Sequence, residues 1–158
     1  MVVSVFRGGK KGVAFVHNGK NRGIFNKIKM RFETPEDIKN ELNVIKRIAG
    51  ANQFNKLGPH DLDFEITGKA YIEIKCYKRN STDFDHVIVS CIKLTALQSA
   101  SRKMPTFLFI QFADQLLYIN VNDIEGYLKK GGRKPRPGST NDIEFLVYVE
   151  TSKFKVFK

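Results

Sequence analysis

The chemically loaded stretch of this chain is HDLDFEITGKAYIEIKCYKR, residues 60–79. Alternating residues on either side of Thr67-Gly68-Lys69 predict two strands, Asp61–Ile66 and Tyr71–Tyr77. Successive strand side chains point to opposite faces. Asp61, Asp63 and Glu65 therefore share one face of the first strand, and Tyr71, Glu73 and Lys75 one face of the second. The apolar sets are Leu62, Phe64 and Ile66, and Ala70, Ile72, Ile74 and Cys76. Both can lie on the same side only if the loop has odd length. A three-residue loop pairs Ile66 with Ala70, Phe64 with Ile72 and Leu62 with Ile74. It also sets Asp63 opposite Glu73 and Asp61 opposite Lys75.

Two carboxylates facing each other across strands repel. A hard divalent cation would reverse the sign of that term. Oxygens from Asp63, Glu73 and a strand carbonyl, with Glu41 as a further ligand, suit Mg²⁺, which keeps waters in its remaining positions. Mn²⁺ is expected to substitute. Lys75 adds a cation on the same face, able to orient a metal-activated water and to meet charge on a phosphate. The bland alternative is a hairpin with a solvated face of mixed charge. His60 is a lone loop histidine, and His17 and His86 read as ordinary strand residues. Cys76 falls on the apolar face, which predicts a buried, inert thiol. No Walker, dinucleotide-binding or nucleophile-elbow motif is present.

Other elements must position these groups. Thr34-Pro35-Glu36-Asp37 starts a helix that runs to about Ala49, with Gly50 as its stop. Glu41 lies on that helix's apolar stripe. Asp85–Ser90 reads as a strand, with Ser90 capping a helix over 91–103. Thr106–Phe112 and Leu116–Val121 form an apolar strand pair. Asn122 with Glu125 reads as a capping box for a short helix ending at Gly131. Asp142–Glu150 and Lys153–Phe157 read as a last hairpin. In the N-terminal part, Val13–His17 is a predicted strand before the Asn18-Gly19 turn. Residues 26–32 alternate Lys27, Lys29 and Arg31 against Ile28, Met30 and Phe32.

The whole has 158 residues, 42% hydrophobic and 27% charged, as expected for one domain. It is organised as a basic β extension (1–33), a core (34–121) and a C-terminal helix, basic loop and hairpin (122–158). No apolar run reaches the roughly 20 residues that span a bilayer, so no membrane role is expected. Two cysteines cannot build a disulfide framework, which fits a cytoplasmic protein, or a phage- or intron-encoded one acting in host cytoplasm. Net charge is +11, and it is uneven. Residues 1–32 hold Arg7, Lys10, Lys11, Lys20, Arg22, Lys27, Lys29 and Arg31 with no acid; Lys129, Lys130, Arg133, Lys134 and Arg136 form a second block. A polyanionic partner is expected.

Asp63, then Glu73-Ile74-Lys75 on the next strand, preceded by a helix bearing Glu41 and followed by strand and helix, resembles the PD-(D/E)XK nuclease superfamily. The resemblance covers about residues 35–121. It implies an α/β fold of the restriction-endonuclease type, a mixed sheet flanked by helices. It implies that Asp63 and Glu73 hold the metal, that Lys75 assists the attacking water, and that Glu41 completes the site. Lys93 matches the cation often carried by the following helix, with Gln98 as the lesser candidate. The usual Pro-Asp pair is broken into Pro59-His60-Asp61, so Asp61 is the alternative ligand. The expected activity is Mg²⁺-dependent cleavage of DNA, of homing or restriction type, by a homodimer. Lys27, Lys29, Arg31, Lys78, Arg79, Lys93, Arg133, Lys134 and Arg136 would contact the nucleic acid. A Holliday-junction-resolving nuclease, a non-catalytic nucleic-acid-binding domain and a basic assembly protein are the other readings.

Overall fold

In a computed structural model of the chain, the described residues are 34–58, 62–132 and 143–158, all within one compact unit. The strands expected in the basic N-terminal part, Asp61, His60 and the cations Arg133, Lys134 and Arg136 lie outside them.

Helix α1 (Pro35–Ala49) begins as its sequence dictates. Thr34 accepts from the Asp37 backbone N–H (3.1 Å), and the Asp37 carboxylate accepts from the Thr34 N–H (2.9 Å). Gly50 ends the helix at φ 57°, a left-handed angle that suits glycine. There follow β1 (Phe54–Lys56), β2 (Phe64–Ile66), β3 (Ala70–Cys76), β4 (His86–Ser90), helix α2 (Cys91–Ser101), β5 (Thr106–Gln111) and β6 (Leu116–Asn120). The chain finishes with β7 (Tyr127–Gly132), β8 (Ile143–Glu150) and β9 (Lys155–Val156).

Six strands form a mixed sheet in the order β1-β2-β3-β5-β6-β9. Only β3 and β5 run parallel, joined by the crossover that contains β4 and α2. The others pair antiparallel. A second sheet has the order β4-β8-β7. Strand alternation divides the core into two clusters. Phe64, Ile66, Ile72, Ile74 and Phe109 pack with Val44, Ile45 and Ala49 of α1. Leu108, Ile110, Leu117 and Ile119 pack on the other face with Leu94 and Leu97 of α2 and Val87, Val147 and Val149 of the second sheet.

Four expectations are corrected. Leu62 joins the α2-side cluster, away from Phe64 and Ile66, because the chain bends at Asp63 and strict alternation stops there. Asn122 and Glu125 start no helix. The Asn120 side chain accepts from the Asn122 N–H (3.0 Å), closing one 3-10 turn, after which Tyr127–Gly132 is drawn into a six-residue ladder with β8. The last two strands form no hairpin: β8 pairs with β4 and β7, while β9 pairs with β6. Cys76, at the end of β3, is exposed instead of buried. The β1 strand, within what reads as a linker, had no alternation to announce it.

Candidate active site

The β2–β3 turn is the predicted three-residue loop, with Gly68 at φ 66°, and the register is Ile66 with Ala70, Glu65 with Tyr71, Phe64 with Ile72. There the ladder ends, before Asp63 can pair with Glu73. The N–H groups of Tyr71 and Tyr77 donate toward β5, to Pro105 and Gln111 carbonyls, so the N–H of Ile74 points toward the β2 side. With no strand carbonyl there, the Asp63 carboxylate takes the place of one, accepting from Ile74 N–H through Oδ2 (2.8 Å). The Asp63 carbonyl in turn accepts from the Leu57 N–H (2.9 Å). One acid is thus fixed at the strand end by backbone bonds.

Glu73 lies on the opposite parity to Ile72 and Ile74, beneath α2, and only 8% of it is exposed. Its Oε1 pairs with the Lys93 ammonium at 2.7 Å. Its Oε2 is buried with no hydrogen-bond partner. Burial first, then the negative charge of Asp63, push its carboxyl up to about 7 against the pull of Lys93 and of the Asp63 backbone N–H. Lys75, two residues on, donates to the Ile88 carbonyl of β4 (2.7 Å) and stands 5.2 Å from the Tyr77 ring centre. Tyr77 stacks on Phe112 at 5.3 Å, so the lysine rests against a fixed aromatic surface.

Glu41 is placed differently. Its carboxylate pairs with Lys56 of β1 at 3.0 Å, and Lys56 lies over Phe64, on the sheet face that α1 covers. The fold therefore gathers Asp63, Glu73, Lys75 and Lys93, while Glu41 of α1 is tied to Lys56 on the sheet face that α1 covers. Cys76 has its thiol pushed up to about 11, first by partial burial of the sulfur and then by the charges of Glu41, Asp37 and Asp63; it is protonated at neutral pH, as an inert thiol should be. Lys78 and Arg79 are exposed beyond β3, with Arg79 paired to Asp83 at 3.2 Å. The Ile88 carbonyl, which seats Lys75, was invisible in the sequence because a backbone acceptor leaves no residue-type signature. Lys56 was missed with its strand.

Among the described residues, no three His, Cys, Asp or Glu side chains are gathered as a metal cage. What the site offers is a pair of hard oxygen donors, one with a buried oxygen lacking a donor. That fits a small divalent cation held by two carboxylates with waters in its other positions.

A mixed sheet with an Asp at the end of one strand, Glu-x-Lys on the next and helices on both faces defines a PD-(D/E)XK nuclease. The sequence matches the family described as "Phage putative PDDEXK endonuclease" over residues 27–157, and the chain belongs to that family. Among solved structures, that of Hjc, a Holliday junction resolvase from the archaeal hyperthermophile Archaeoglobus fulgidus, is similar at 12% identity and a TM-score of 0.42, over 72% of this chain and 93% of its own. No curated protein matches. No described helix is long and apolar enough to cross a membrane.

Proposed function

We propose that the chain is a Mg²⁺-dependent endonuclease that hydrolyses DNA phosphodiester bonds. The observation that carries this reading is the buried, donor-free Oε2 of Glu73 beside Asp63, with Lys75 next on the same strand face. A carboxylate oxygen left without a partner in a buried position is costly unless something cationic completes it.

Asp63 and Glu73 would hold the cation, with Mn²⁺ able to replace Mg²⁺. When bound, it supplies Lewis acidity to the attacking water and the scissile phosphate. The protein's own groups do the rest. Asp63 is held by the Ile74 N–H, so its position does not depend on substrate. Lys75 uses one N–H on the Ile88 carbonyl and keeps two for orienting a water and meeting charge on a phosphate. Lys93 neutralises Glu73 until the site is charged and then contacts the DNA backbone. Lys78, Arg79 and the cations outside the described residues, Lys27, Lys29, Arg31, Arg133, Lys134 and Arg136, would hold phosphates without reading sequence. Cutting both strands calls for a symmetric homodimer.

The test is incubation of supercoiled plasmid and a branched junction with protein in Mg²⁺ or EDTA. Cleavage in Mg²⁺, none in EDTA and none by Asp63→Asn is the expected result. Binding of DNA without cleavage under any divalent metal would make the chain a binding domain instead.

A further inference from the structure

The β7–β8 hairpin outreaches the core that roots it. Val147 of β8 is buried at 7% exposure, yet Phe145 and Ile143, next along the same face, are both 60% exposed, and Leu128, paired with Val147, is 63% exposed. From residue 147 to 143, at about 3.4 Å per residue, the arm extends some 14 Å with this face uncovered. The other face closes on itself. Tyr127 stacks on Tyr148 at 5.2 Å with His86 edge-on, and Leu146 lies so close over Gly131 that a Cβ there would meet it at 2.8 Å. That face is covered by its own contacts apart from Tyr127, which is 53% exposed, while the first face presents Leu128, Phe145 and Ile143 with Lys130 among them.

Such a patch needs an occupant. A second copy is disfavoured at the free edge: β7 carries Lys129 and Lys130, and antiparallel pairing of two β7 strands would set lysine against lysine. The same lysines, followed in the sequence by Arg133, Lys134 and Arg136, complement a polyanion. A regular duplex, however, shows mostly phosphate and sugar, for which cations suffice. Apolar contact in a duplex is limited to the thymine methyls of the major groove; the broad apolar surface of a nucleic acid is the base face, reachable where stacking is broken.

Resting on the reading that the chain acts on DNA, we infer that the β7–β8 hairpin is a base-contacting arm: Leu128, Phe145 and Ile143 take the faces of unstacked bases while Lys130 on the same face, and Lys129 on the opposite face over Tyr148, hold the flanking phosphates. The substrate class is then DNA with an opened stack, such as a flap, bubble, junction or frayed end, in preference to continuous duplex. Stacking contacts of this kind are sequence-tolerant.

The experiment is binding by fluorescence anisotropy in EDTA, so that cleavage does not intervene. It compares a continuous duplex with the same duplex carrying an internal unpaired bubble. The parent should prefer the bubble by about tenfold or more. Leu128→Ser with Phe145→Ser should bring that preference to within about twofold while duplex affinity holds. Lys129→Ala with Lys130→Ala should weaken both ligands alike and flatten the salt slope by about two. Circular dichroism checks that each variant folds. Equal affinity of the parent for both DNAs, or a bubble preference untouched by the serine variant, overturns the inference. So does a serine variant that turns a dimer into a monomer while keeping the preference, which would make the face a subunit contact. Failure of the parent to bind any DNA would instead sink the functional reading beneath it.

Discussion

Glu73 carries two opposed demands: it is buried beside Asp63, and it is paired with Lys93. Its carboxyl moves from an ordinary 4.5 to about 7 in the folded protein. Between those values the folded state keeps a proton that the unfolded chain has released. Metal-free stability should therefore fall as pH rises from 4.5 to 7 and level off above. Thermal melts in EDTA across that range check the sign; a rise with pH would refute it. A divalent cation must displace the same proton, so its affinity by calorimetry should climb about tenfold per pH unit below that midpoint. Asp63→Asn keeps an oxygen for the Ile74 N–H while removing the charge that, after burial, helps to raise Glu73. It should lower cleavage by about a hundredfold or more and abolish the Tm increase that Mg²⁺ gives the parent. Glu41→Gln should leave plasmid cleavage near parental, since Glu41 is engaged with Lys56 on the α1 face. At this scale alternation put Glu73 and Lys75 on one face of β3 but failed at Asp63, where β2 stops and the side chain turns to the Ile74 N–H. Glu41 was harder: helical spacing says which stripe a residue occupies, and cannot say which sheet face that stripe will cover.

The early end of β2 decides the geometry of the strand pair. Had the ladder run on, Asp63 would have pointed across at Glu73 as a strand residue; instead its side chain serves as an acceptor for the uncovered part of β3. Sequence alternation extends through Leu62, so nothing local marks that stop. Helix α1 shows the converse, since Thr34, Pro35, Asp37 and Gly50 state its limits without tertiary help. Thr34→Ala should cost about 1 kcal/mol in denaturant unfolding, through loss of the cap alone. Leu97 of α2, fully buried between the sheets, should cost about 2–5 kcal/mol as Leu97→Ala. A smaller loss would mean that the α2 layer collapses onto the gap. The segment after Asn120 misled because Gly126 and the Gly131-Gly132 pair interrupt the helix formers behind the start signal, and a neighbouring strand offers a full ladder.

Over the whole molecule, thirteen cations stand in two acid-free blocks, eight before residue 33 and five between 129 and 136. If half meet phosphates, log affinity against log salt should fall with a slope of roughly −5 or steeper. A flat titration would remove the polyanion from the account. The interleaving of late strands with early ones was beyond sequence reading, because β8 and β9 show the alternation of a hairpin and their partners are set only by packing. It bears on how the protein comes into being. The seat of Lys75 is a carbonyl of β4, whose neighbour is β8, while β6 is closed by β9. On the ribosome, β3 is made well before β8 and β9 and must wait for them before its frame can close. A translation product ending before Ile143 would contain the entire D-x(9)-E-x-K motif and still lack the strand that pairs with β4, where Lys75 is seated.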